Sequence, residues 1–98
     1  MTIDKQLSGS ALTIAIAGRL DTTTAPELEE AIKDVINEAE DLTLDFKDLE
    51  YISSAGLRVV LGMQKVMNKQ GQMTVTNVGP EIMEILEVTG FSDILTIK

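Results

Sequence analysis

Along this chain, short segments in which apolar and polar residues alternate are interspersed with longer segments. In the longer segments the apolar residues recur with the period of a helix. The first two short segments, residues 3–7 and 11–17, flank Ser8-Gly9-Ser10 and predict a β-hairpin. The later segments predict a helix around residues 28–36, a strand at 42–46, a helix around 57–69, a strand at 73–75, a helix around 82–86 and a strand at 91–97. The order β-β-α-β-α-β-α-β predicts the α/β class, with a mixed, mostly parallel β-sheet, an N-terminal hairpin and helices packed on the sheet.

The first predicted helix has a single apolar stripe and a marked beginning. Its apolar residues recur at positions i, i+3, i+4, i+7 and i+8, which are Leu28, Ala31, Ile32, Val35 and Ile36. Thr24 and Glu27 have the spacing of a capping box, and Pro26 falls in the first turn, where its missing N–H group is tolerated. We therefore expect this helix to pack one face on the sheet.

Glycines and one proline mark the other expected boundaries. Gly18 is expected to end the second strand, Gly71 the second helix and Gly90 the third, and Pro80 is expected in the first turn of the third helix. The second helix combines a broad apolar face with a narrow basic one, formed by Arg58, Lys65 and Lys69. The 98 residues, 44% of them hydrophobic, suffice for one core, so we expect a single domain, 1–98.

Residue types that most enzymes require are missing from this chain. It has no cysteine and no histidine, which removes the usual zinc ligands and the Ser/His/Asp and Cys/His catalytic sets. It also lacks a glycine-rich phosphate loop. Neighbouring carboxylates such as Glu29-Glu30 are typical of solvated surfaces. We therefore expect a protein that is not an enzyme and has no metal and no cofactor. The rival class is an enzyme or small-molecule binder that uses the edge of the sheet.

The charge balance points away from nucleic acids and membranes. Sixteen acidic against 8 basic side chains give a formal net charge of −8, without a cluster of lysine or arginine. This acidity either favours a partner with a basic surface or only aids solubility. The N-terminus has no signal-peptide pattern, and no apolar stretch approaches the length of a membrane span. A cytoplasmic protein without nucleic-acid or membrane partners is expected.

One segment of small residues stands where a strand gives way to a helix. It is Ser53-Ser54-Ala55-Gly56-Leu57, and a serine at this point is typical of a helix cap. Only one of the two serines is needed as a cap, however. The positive end of a helix also tolerates a phosphate, so the same pattern is compatible with a phosphorylation site.

Two motifs resemble those of a known family. One is Gly18-Arg19-Leu20-Asp21; the other is Asp48-Leu49-Glu50-Tyr51-Ile52-Ser53-Ser54-Ala55-Gly56-Leu57. Together they are similar to the motifs of the bacterial anti-sigma factor antagonists of the STAS domain family, and the resemblance spans residues 3–97. It implies a STAS-type fold and a protein-binding switch.

The resemblance also implies the partners and the sites. Unphosphorylated, the protein would bind an anti-sigma factor serine kinase and thereby release the sigma factor; a serine phosphatase would act on the phosphorylated form. The phosphorylated residue would be Ser54, with Ser53 as the alternative because it replaces the family's aspartate before the acceptor. Residues implied in partner binding are Asp21, Thr22, Ser53, Ser54, Ala55, Gly56, Leu57 and Arg58.

Two further expectations concern the oligomeric state and the pathway. Many relatives continue into another helix, whereas this sequence stops at Lys98, so we expect a monomer or a weak dimer. The alternative function is a STAS module of another pathway, such as a secretion, biofilm, phosphatase or lipid-transport complex with a non-sigma partner.

Overall fold

Five strands and three helices make up the computed structural model, which describes residues 1–98. In chain order they are β1 (Thr2–Ser8), β2 (Ala11–Leu20), α1 (Ala25–Ile32), β3 (Asp41–Asp45), β4 (Leu49–Ile52), α2 (Ser54–Gln70), β5 (Gln72–Thr76) and α3 (Pro80–Val88). Short 3-10 helices follow α1 and α3, at Ile36–Glu38 and Phe91–Asp93. Each of the helices is too short or too polar to span a lipid bilayer.

The strands form one mixed sheet in the order β1-β2-β3-β5, and β4 joins it by pairing with the far end of β2. β1 and β2 are the antiparallel hairpin, with Ser8 opposite Ala11 across a two-residue turn in which Gly9 has a φ of 61°. The pairs β2-β3, β2-β4 and β3-β5 are parallel. The predicted α/β class, with its mixed, mostly parallel sheet and N-terminal hairpin, is confirmed.

The core lies between the sheet and the helices. In β2, Leu12, Ile14 and Ile16 are buried while Thr13 and Ala15 face the other side, as the alternating sequence predicted. The helices supply the opposite side of the same cluster of 23 buried hydrophobic residues, with Leu28 from α1 and Leu86 from α3 fully buried. The apolar segments are thus long enough to cover one face of the sheet.

The second strand is longer than predicted. Gly18 does not end β2, which continues to Leu20. Gly18 adopts a φ of 96°, and the register of the β2-β4 pairing shifts between it and Arg19. β2 pairs with β3 only as far as Ala15, so Gly18 stands where the pairing with β4 begins. A glycine suits this irregularity because a side chain strains the backbone at positive φ. The residue therefore marks a bulge inside the strand.

The first helix is shorter than its apolar stripe predicted. It ends at Ile32, and Ile36 reaches the core from the separate 3-10 helix. Pro26 is in the first turn, as predicted, but Thr24 forms no side-chain cap, so the predicted capping box is wrong. The Thr24 hydroxyl instead donates to the carbonyl oxygen of Arg19 at 2.8 Å. The spacing of the apolar residues thus predicted correctly that Ile36 is in the core, although Ile36 does not belong to the same continuous helix.

Two strand predictions also differ from the structure. Residues 49–52 form a separate strand, β4, so that two strands rather than one lie between α1 and α2. The predicted last strand at residues 91–97 is wrong: it begins with the 3-10 helix, and only Ile97 forms a bridge, with Val75 of β5. Two backbone hydrogen bonds, from Val75 to Thr96 and from Lys98 to Val75, hold this end of the chain at the sheet edge.

Candidate functional site

The ends of β2 and β4 bring the two sequence motifs together. Their parallel pairing sets Arg19 beside Tyr51 and Leu20 beside Ile52. The backbone N–H of Ser53 then donates to the Leu20 carbonyl at 2.9 Å, which continues the pairing to the point where α2 begins. The turn that starts at Asp21 and the first turn of α2 therefore emerge side by side at one end of the sheet.

The two serines of the small-residue segment have different structural roles. Ser53 is the N-cap of α2: its backbone is extended, and its Oγ accepts a hydrogen bond from the backbone N–H of Gly56 at 3.3 Å. Ser54 is the first residue of the helix and is exposed. Its hydroxyl has no hydrogen-bond partner in the protein. The cap thus uses one serine and leaves the other hydroxyl facing solvent.

Asp21 organises the neighbouring turn. Its Oδ1 accepts hydrogen bonds from the Thr23 hydroxyl at 2.8 Å, from the Thr23 N–H at 3.0 Å and from the Thr24 N–H at 3.1 Å. These bonds, with the Thr23 hydroxyl bond the largest cause, hold the pKa of Asp21 below its usual value. The carboxylate is therefore a fixed acceptor that shapes residues 21–24 and leads the chain into α1.

An arginine and a tyrosine complete this end of the sheet. The Arg19 guanidinium lies 4.3 Å from the centre of the Tyr51 ring, in cation–π geometry, and its Nε is 3.8 Å from Asp21 Oδ2. No feature of the sequence alone indicated this contact. The two residues become neighbours only through the β2-β4 pairing, so recognising residues 49–52 as a strand of their own was the missing step.

The residues implied in partner binding differ in how accessible they are. Thr22, Ser54 and Arg58 are exposed; Asp21, Ser53 and Ala55 are partly exposed; Gly56 and Leu57 are buried. All of them lie in the turn after β2, at the N-cap of α2 or in the first two turns of α2. Contact with a partner is therefore open to the first six, whereas Gly56 and Leu57 shape the surface from beneath.

A groove runs beside this surface, between α1 and α2. It has a volume of about 460 Å³ and an apolar floor that includes Ile32 and Met63. Glu29 and Glu30 line it from α1, and Arg58 lines it from α2. No group of three or more carboxylates is arranged to hold a metal ion. The exposed polar groups at this end of the molecule are hydroxyls and single charges.

Comparison with known proteins gives one consistent family. The family model described as STAS domain matches residues 2–98. The anti-sigma-B factor antagonist of Bacillus subtilis (strain 168) is 30% identical over 99 residues, which cover 100% of this chain and 91% of that protein.

Two solved structures extend the comparison to the fold. An anti-sigma factor antagonist from Mycobacterium paratuberculosis superposes with a TM-score of 0.88 at 24% identity, covering 98% of this chain and 83% of the other. The Bacillus cell fate determinant SpoIIAA in its phosphorylated form superposes with a TM-score of 0.77 at 17% identity, covering 99% and 91%. At these identities the two structures show a shared fold.

Proposed function

This chain belongs to the STAS domain family, and we propose that it is an anti-sigma factor antagonist whose binding to its partner is controlled by phosphorylation of Ser54. The family predicted from the two sequence motifs is confirmed. The antagonist function is supported by the name of the Bacillus subtilis relative, which this chain matches over its whole length. On this proposal the protein is a single domain in the cytoplasm. It acts by binding its partner and not by catalysis.

The free hydroxyl of Ser54 is the observation that carries the phosphorylation proposal. Ser53 Oγ is engaged as the cap of α2, and phosphorylating it would disturb its hydrogen bond from the Gly56 N–H. Ser54 is exposed at the first helical position and makes no hydrogen bond that a phosphate would break. A kinase would therefore reach Ser54 without unfolding the helix. SpoIIAA, a protein of the same fold, is known in a phosphorylated form.

The proposed control depends on keeping the fold while changing the surface. A phosphoryl group adds roughly −1.5 to −2 charges and three acceptor oxygens. The beginning of a helix tolerates this charge because its dipole is positive there. A close-packed interface does not, because the group is bulky, carries bound water and repels carboxylates of the partner. Phosphorylation would thus abolish binding and leave the structure intact.

The partners we propose are an anti-sigma factor serine kinase and a serine phosphatase. The unphosphorylated chain would bind the kinase over Thr22, Ser54 and Arg58, the exposed part of the implied surface, and thereby release the sigma factor. The phosphatase would restore this form. A net charge of −8 favours a kinase whose surface is basic overall, with carboxylates only where it meets Arg58 and Ser54.

The test is to incubate the purified chain with ATP and a serine-kinase anti-sigma factor from the same genome. We expect one added phosphate, mapped by mass spectrometry to Ser54, and none on Ser54→Ala. Ser53→Ala is the matched control and should still be modified. A phosphate on Ser53 would move the site by one residue. If no such kinase modifies or binds the chain, the STAS module of another pathway, with a non-sigma partner, becomes the better proposal.

A further inference from the structure

Ser54 and Arg58 are exposed side chains one helical turn apart on α2. Residues four apart on a helix are neighbours, with their Cβ atoms about 5 to 6 Å from each other. Neither side chain is engaged elsewhere: the Ser54 hydroxyl makes no hydrogen bond, and the protein's one ion pair joins Arg19 to Asp21, not Arg58 to a carboxylate. A group attached to Ser54 would therefore stand within reach of an unpaired guanidinium.

We propose that Arg58 binds the phosphoryl group once Ser54 is phosphorylated, an inference that rests on the function proposed above. A guanidinium donates paired, charge-assisted hydrogen bonds to two oxygens of a phosphate. The order along the helix is also the favourable one, because an anion four residues before a cation agrees with the helix dipole. Arg58 is thus the residue that senses the modification.

Lys65 of α2 and Arg19 of β2 are less suited to binding a phosphoryl group on Ser54. Lys65 stands eleven residues after Ser54 on the same helix, about 16 Å along its axis at 1.5 Å per residue. Arg19 is already engaged, over the Tyr51 ring and beside Asp21. Among the basic residues of α2, Arg58 alone lies within the first two turns.

The position of Arg58 also links the phosphate to the binding surface. Its side chain lines the groove between α1 and α2, opposite Glu29 and Glu30. In the unphosphorylated chain the guanidinium is free to meet a carboxylate of the partner. Phosphorylation of Ser54 draws it onto its own helix, so the surface loses a cation when it gains an anion. An aspartate at position 54 carries less charge and fewer acceptor oxygens, and should engage Arg58 only weakly.

The test uses phosphoserine installed genetically at position 54, so that no kinase is needed. The ³¹P chemical shift is followed from about pH 4 to pH 8, across the second ionisation of the phosphate near pH 6. A neighbouring guanidinium favours the dianion and lowers the titration midpoint. We expect Arg58→Gln to raise the midpoint by about 0.3 pH or more, which corresponds to the usual strength of an i,i+4 ion pair.

Lys65→Gln is the matched control, since it removes one positive charge from the same helix at a distance. Its midpoint should stay near that of the parent, and the effect of Arg58→Gln should shrink in about 1 M salt, where charges are screened within about 3 Å. An unchanged midpoint in Arg58→Gln would overturn the inference, and so would equal rises in both variants, which would reflect net charge alone. A chain that no kinase modifies at Ser54 would instead contradict the proposed function and leave this titration unaffected.

Discussion

A Cβ atom on residue 56 would stand 2.7 Å from the Cγ atom of Leu20, because the first turn of α2 lies directly against the end of β2. The Leu20 carbonyl oxygen and Ile52 Cγ1 would each be 3.0 Å away. Leu20 is fully buried, so its side chain has no free space into which to move. Gly56 thus allows the close approach that brings the helix start beside the turn at Asp21.

We expect Gly56→Ala to destabilise the fold by about 1 to 3 kcal/mol, the usual cost of adding a methyl group to a packed interior. The urea midpoint of unfolding measures this. Gly62→Ala, on the same helix, is the control: a Cβ atom there meets nothing within 4 Å. Alanine is favoured in helix interiors, so Gly62→Ala should stabilise by about 0.5 to 1 kcal/mol. If both substitutions moved the midpoint in the same direction, the packing of α2 on Leu20 would be misjudged.

The apolar stripe of α1 gives a second stability prediction. Ile32 is 6% exposed and ends the helix against the core, so Ile32→Ala should cost about 2 to 5 kcal/mol. Glu30 is exposed on the same helix, and Glu30→Ala should cost less than about 0.5 kcal/mol. Urea unfolding of the two variants side by side provides the comparison. Similar midpoints would contradict the burial of this face.

Hydrophobic period was enough to predict most of the fold. The alternation in β2 and the stripe that contains Leu28 each report burial on one face, which local sequence encodes directly. The errors fall where tertiary contacts decide. Residues 49–52 form a strand because β2 extends past Gly18 and offers its far end as a partner. Residues 91–97 have strand-like composition but form a single bridge to β5, at Ile97.

The candidate site, like the fold, could be predicted from the sequence only in part. The sequence indicated that the small residues after Ile52 begin a helix and that one serine suffices as its cap. It did not determine which serine that is, since the answer depends on the direction of the Ser53 side chain toward the Gly56 N–H. The capping box at Thr24 was wrong because Asp21 competes for the same hydroxyl and backbone groups. Short-range polar contacts of this kind have several solutions with similar spacing.

Asp21 should make the fold sensitive to acid. Its hydrogen bonds, that from the Thr23 hydroxyl foremost, lower the pKa of the folded protein's carboxyl group relative to the unfolded chain. Its stabilising effect is therefore complete above about pH 4, the ordinary range of aspartate, and is lost as the pH falls through the lower folded-state pKa. Asp21→Asn keeps an acceptor oxygen but cannot ionise, so it should be less stable than the parent at neutral pH.

Urea unfolding at a series of pH values measures this difference. The gap between Asp21→Asn and the parent should narrow steadily as the pH drops below about 4, because the parent then also loses its charge. Asp45, whose pKa is likewise lowered, chiefly by a hydrogen bond from the Asn77 side chain, is present in both proteins and cancels from the comparison. A gap that stays constant with pH would show that the charge of Asp21 contributes nothing.

Alanine substitutions at Ser53 and at Ser54 should lower the stability of the fold by clearly different amounts. Ser53→Ala removes the N-cap of α2 and should cost about 0.5 to 2 kcal/mol. Ser54→Ala removes an exposed hydroxyl without a partner and should cost less than about 0.5 kcal/mol. The urea midpoints of the two variants measure the difference. A larger loss in Ser54→Ala would reverse the assignment of the cap and weaken the case for Ser54 as the modified residue.

The substitutions Ser54→Ala and Ser54→Asp should differ in their effect on binding to the kinase. Ser54→Ala keeps the surface nearly flat and has no hydroxyl to phosphorylate, so it should bind the kinase as the unphosphorylated parent does and stay bound when ATP is added. Ser54→Asp should bind more weakly, with a partial loss, since one carboxylate has less charge and fewer acceptor oxygens than a phosphate. Affinities measured by calorimetry, with and without ATP, give the comparison. If ATP released Ser54→Ala as readily as the parent, control of binding would lie at a residue other than Ser54.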